Sequence, residues 1–198
     1  MAISTGERRD EILNIALCEF AERGFVATTM EGIAEKAGFT KPILYNHFIN
    51  KQAIYEEIMS VTASRILDSL ARATSSAKNP RGIVETAFRV YFDLLVSETP
   101  AFRFLFLHSH ESEMASQLRV IESQMTSFIE DLISVDLDGE HRRQLSAAVV
   151  GMAEGAAISW LVQQESLGWP TPPTDSAEVL ASRIATFAWG GLRAVTRS

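Results

Sequence analysis

Apolar side chains recur every three or four residues along nearly the whole chain, the period of an amphipathic helix rather than the alternation of a strand. Ser4 with Glu7 reads as a capping box, and Leu13, Ala16, Leu17 and Phe20 follow at helical spacing until Gly24 stops the run. Thr28 with Glu31 forms a second box, opening a short helix with Met30, Ile33, Ala34 and Ala37 that Gly38 interrupts. Thr40 is positioned to cap a third helix holding Ile43, Leu44 and Phe48, with Pro42 tolerated in its first turn. Asn50 caps a fourth, which runs through Ile54, Ile58, Val61 and Leu70 to a break at 74–80.

Five more helical patterns follow. They start at Pro80 (Val84, Phe88, Tyr91, Leu95), at Pro100, near Met114 (Leu118, Ile121, Met125, Phe128), near Glu140 and near Ser176. Phe102-Arg103-Phe104-Leu105-Phe106 alternates like a strand, but an isolated strand has no partner, so it too is read as helix. The expected fold is all-α.

Within this series, residues 28–48 stand out: two short helices joined by Ala37-Gly38-Phe39-Thr40, the spacing of a helix-turn-helix. Gly38 supplies the positive φ of a sharp turn. The second helix presents Lys41, Pro42, Tyr45, Asn46 and His47, which suit base edges: Asn pairs with adenine, Lys reaches guanine or phosphate, and Pro and Tyr offer apolar surface to a thymine methyl. Thr28, Thr29, Tyr45 and Lys51 suit phosphate. On spacing alone, a generic αα corner facing water fits as well, and so does an all-α small-molecule-binding protein that does not touch DNA.

The run from Arg9 to Lys51 resembles the N-terminal domain of the tetracycline-repressor (TetR) family of bacterial transcription regulators. It carries F-A-E-R-G-F closing the first helix, T-T before the second, I-A-x-x-A-G, and then L-Y-x-H-F with a following Lys. Pro42 departs from the Gly or Ala common there, which bears on the bases read. The resemblance implies an N-terminal three-helix DNA-binding domain at 1–52 and a C-terminal helical domain at 53–198 for ligand binding and dimerisation. It implies a homodimeric regulator, expected to be a repressor on a palindromic operator and released by a small-molecule inducer; the lone cysteine fits a reducing cytosol, so a cytoplasmic location is expected. It is expected to be neither an enzyme nor a membrane protein. Carried over, the DNA contacts are Thr28, Thr29, Thr40, Lys41, Pro42, Tyr45, Asn46, His47 and Lys51, with Arg8 and Arg9 near the backbone or minor groove.

The remaining three quarters offer two further readings. Gly151, Gly155 and Ser159 recur every four residues on one helix, and Ala181, Ala185 and Ala188 form a similar small-residue series on the last. Such stripes serve either a tight two-fold bundle or close packing within one chain. Glu154, among them, faces solvent or an arginine of a partner. An aromatic- and Met-rich middle is either core or the lining of a pocket for an aromatic or acyl compound: Phe88, Phe92, Phe102, Phe106, Met114, Leu118, Ile121, Met125 and Trp160.

No cofactor motif, phosphate loop or nucleophile elbow is present, and His108 with His110 at i, i+2 is poor metal spacing. The lone Cys18 cannot form an internal disulfide. The most apolar tract, Ala147 to Val162, contains Glu154 and falls short of the roughly 20 residues that cross a bilayer.

Net charge sharpens the DNA reading. The 198 residues sum to −7 at pH 7. Residues 1–52 carry six cations and seven carboxylates, for −1, so even the expected DNA-binding part is not basic overall. Weak non-specific affinity and a modest salt dependence are therefore expected, with specificity resting on a few base contacts.

Overall fold

The computed structural model describes residues 5–107, 115–133, 137–168 and 174–195. All regular structure among them is helical: α1 Thr5–Ala27, α2 Met30–Lys36, α3 Lys41–His47, α4 Lys51–Thr74, α5 Pro80–Ser97, α6 Thr99–Phe106, α7 Ala115–Leu132, α8 Gly139–Ser166 and α9 Thr174–Val195. The all-α expectation holds, including the helical reading of residues 102–106. Asn50 Oδ1 accepts the Ala53 N–H at 2.8 Å, as a cap of α4 does.

The chain divides into two compact units, Met1–Ala63 with Pro100–Leu118, and Ser64–Thr99 with Arg119–Ser198. In the first, α1 contributes the fully buried Ile12, Ala16 and Phe20. An aromatic cluster joins three separate helices: Phe104 of α6 stacks 5.7 Å from Phe20 and 4.8 Å from Tyr55, and Tyr55 meets Phe25 edge-on at 5.2 Å. Four large rings meeting in this way bury much apolar area and fix one geometry.

Gly24 (φ 77°) breaks α1 where the sequence places the stop, and the chain turns toward α2. The cap of α2 differs from expectation. Thr29, not Thr28, is the N-cap and accepts the Gly32 N–H at 3.0 Å. Thr28 is buried, and its hydroxyl donates to the Gly24 carbonyl at 2.8 Å, satisfying an orphan acceptor at the end of α1. A buried carboxylate ties the next joint: Glu19 pairs with Lys36 of α2 and lies 3.7 Å from Arg23, which offsets the cost of its burial. That pairing raises the Lys36 pKa.

In the second unit α9 lies along α5, with further packing of α8 on both. Ala181, Ala185 and Ala188 are buried inside the unit, so this small-residue series serves intramolecular close packing. The α8 series does the opposite. Gly151, Gly155 and Ser159 are exposed, and a Cβ built on either glycine would meet nothing within 4 Å.

Helix α8 extends beyond the apolar tract at both ends. At 28 residues, with a window of mean hydropathy 1.6 that is only 28% buried, it is long and apolar enough to cross a membrane by length and composition. Its N-terminal turns carry Glu140, Arg142 and Arg143 and its middle carries Glu154, which suits an apolar strip awaiting a partner helix equally well.

Candidate nucleic-acid interface and ligand cavity

The turn between α2 and α3 forms as the glycine demands, with Gly38 at φ 67° and its N–H donating to the Glu35 carbonyl at 3.1 Å. Only Leu44 of the seven residues in α3 is buried, at 0% exposure, and Phe48 just beyond the helix is 2% exposed. These two side chains anchor α3, with Ile43 and His47 half-buried beside them, and leave its other side chains outward. Thr40, Lys41, Pro42, Tyr45 and Asn46 are exposed, and His47 is half-buried. Thr40 bounds the helix but makes no side-chain cap bond. Thr29 is exposed at the start of α2, though its oxygen is occupied by the cap.

The cations are less available than their number suggests. Lys41 Nζ pairs with Glu31 at 2.6 Å and holds that carboxyl below its ordinary pKa. Solvent screens an exposed pair of this kind, so Glu31 is a weak competitor for the Lys41 ammonium. Lys51, expected to contact phosphate, is engaged within the chain. Its Nζ sits 4.1 Å over the Phe25 ring and donates to the Phe25 and Thr28 carbonyls at 2.5 and 2.6 Å, fastening α4 to the end of α1. Arg9 is bonded to the His47 carbonyl and the Glu57 carboxylate within the unit.

In the second unit a cavity of about 450 Å³ opens between α5, α7, α8 and α9. Ile83, Phe88, Ile129, Leu145, Val149 and Trp189 typify its lining, and Arg193 is the one charged residue among the described residues that line it. Of the residues expected to bind a ligand, Phe88 lines this cavity. Trp160 lines a second groove between α8 and α9, where its Nε1 donates to Ser176 Oγ at 3.1 Å. Phe92 and Ile121 are buried and Met125 half-buried in the same unit. Phe102 and Phe106 are buried in the other unit, 6.0 Å apart between ring centroids, and Leu118 is half-buried there. Met114, His108 and His110 lie outside the described residues.

The expected set thus spreads over two units, whereas the cavity draws on aliphatic positions near helix ends. Nothing in a single sequence separates those positions from ordinary core. Glu154, expected to face solvent or a partner's arginine, is half-buried. Burial, with Glu122 nearby, pushes its carboxyl up to about 7, and burial with Glu154 raises the Tyr91 hydroxyl.

A short outward-facing helix held over a glycine turn by Leu44 and Phe48 has the geometry of a helix-turn-helix motif. The family model for bacterial regulatory proteins of the tetR family matches residues 12–58. The transcriptional activator FasR of Mycolicibacterium smegmatis is 29% identical over 97% of this chain and 87% of its own length. A TetR-like transcriptional regulator from Rhodococcus sp. RHA1 superposes with a TM-score of 0.77 at 21% identity, covering 97% of this chain and 99% of that one. FadR from Bacillus subtilis, solved in complex with stearoyl-CoA, gives 0.76 at 15% identity over 90% and 96% of the two chains. Residues 12–58 thus match the tetR family of bacterial regulatory proteins, and nearly the whole chain is similar to a transcriptional regulator and shares the fold of TetR-like regulators.

Proposed function

We propose that this regulator is a cytoplasmic repressor, with residues 1–52 reading DNA and 53–198 dimerising and sensing. As a homodimer it occupies a palindromic operator and is released by a small apolar molecule. The exposed face of α3 carries the reading: Lys41, Pro42, Tyr45 and Asn46 stand outward on a helix whose only buried residue is Leu44. Thr29, Thr40 and the half-buried His47 flank that face, while Thr28 and Lys51 shape it from within. With Arg9, Arg23, Lys36 and Lys41 all paired to carboxylates, little free positive charge remains for non-specific attraction. The bare glycine face of α8 supports dimerisation.

The apolar cavity, inside the roughly 300–1,000 Å³ range of small-molecule sites, supports a ligand with a long hydrocarbon portion. The stearoyl-CoA held by the Bacillus subtilis neighbour points the same way, and Arg193 gives an anionic head a partner. Ligand binding releases the operator only as far as it prefers the state that no longer fits the grooves. One observation favours a second output, activation: the Mycolicibacterium smegmatis relative that spans nearly the whole chain bears that name.

Selection of duplexes from a random library tests the proposal. Two inverted half-sites centred about one helical turn apart, or a multiple of it, are expected. Enrichment of no sequence at low salt would overturn it.

A further inference from the structure

We infer that Arg9 is a positioning residue that sets the recognition helix against α4 through Glu57, rather than a contact to DNA. The inference rests on the DNA reading above and concerns how that reading is held in register. Three of its nitrogens are engaged. Nη1 donates to the His47 carbonyl at 2.7 Å, while Nε and Nη2 donate to the two carboxylate oxygens of Glu57 at 2.8 and 2.5 Å. The guanidinium plane also lies 4.1 Å from the centroid of Phe48.

Each partner has a distinct place in the machinery. His47 ends α3, and its carbonyl is one of the orphan acceptors of that helix. Phe48 is one of the two anchors of α3. Glu57 lies in the second turn of α4, the helix that carries the chain from the first unit into the second. A planar fork bonded bidentately has little freedom to slide, so the end of α3 follows the rotation and axial position of α4 at Glu57. A lysine, with a single point charge, does not reproduce this grip.

The test uses full-length protein and a duplex enriched by the wild type from a random library, with a scrambled duplex beside it and titrations at several salt concentrations. Arg9→Gln and the nearly isosteric Glu57→Gln are each expected to weaken binding to the enriched duplex by tenfold or more. Binding to the scrambled duplex and the salt slope should stay unchanged, and the double variant should lose no more than either single one. A cation that instead touches phosphate lowers the slope by about one when removed and weakens both duplexes alike.

Glu57→Gln decides the matter even if Arg9→Gln folds poorly. A DNA-contacting Arg9, freed of its carboxylate, binds more tightly, whereas a positioning Arg9 loses specific affinity. Unchanged or tighter binding by Glu57→Gln overturns the inference. If the wild type enriches no duplex, the DNA reading itself has failed and the inference falls with it.

Discussion

Leu44→Ala is expected to abolish operator recognition and to lower stability by about 2–5 kcal/mol. The residue is wholly buried, and it is the only buried position in a seven-residue helix. A helix that short has no stability of its own in water; tertiary packing holds it. Truncation leaves a cavity under α3 and removes one of its two anchors, the one within the helix itself, so Lys41, Tyr45 and Asn46 lose their common register. For a chain of this length the melting temperature should fall by roughly 4–20 °C. Thermal unfolding followed by circular dichroism, with operator titration below the transition, measures both effects. A loss under ~1 kcal/mol, or retained recognition, would mean that α3 is held by something other than Leu44.

Gly155→Leu is expected to separate folding from assembly. The position is exposed within one chain and a Cβ there meets nothing within 4 Å, so a helix former in place of glycine should stabilise the monomer by up to ~1 kcal/mol. In a dimer built on the α8 face, the same leucine stands where the partner helix must approach. The dissociation constant of the dimer should rise at least a hundredfold, read by sedimentation. Operator affinity should fall with it, because two half-sites are no longer engaged by one linked pair. Phe187→Glu on α9, where the ring is 71% exposed, should have the same effect. Dimers of undiminished affinity in both variants would remove α8 and α9 from the interface.

Local physics decided which of these features the sequence exposes. Gly38 and the helix periods around it are dictated within a few residues, so the helix-turn-helix and the all-helical fold are legible without coordinates. Caps are harder: Thr28 and Thr29 are equally good on paper, and only the tertiary need of the α1 carbonyls separates them. The two small-residue series also look alike in sequence. Packing on α5 assigns the alanines of α9 to the interior and leaves the glycines of α8 bare.

The ligand residues are the least legible, because aromatic residues from α5 and α6 share a composition but enter different units. Arg9 and Lys51 show the same limit for charge. A cation near a recognition helix invites a phosphate reading, and the sequence does not show its partners 38 or 23 residues away.

The most direct measurement is the affinity of the wild type, Lys41→Ala and Tyr45→Ala for the enriched operator, by fluorescence anisotropy, with melting temperature and dimer mass recorded for each. Both side chains are exposed, so fold and dimer should be untouched. Losing a base contact worth about 1–3 kcal/mol should weaken operator binding by roughly 5–150-fold. Variants that bind the operator as tightly as a wild type that discriminates it would show that DNA is read by some other face.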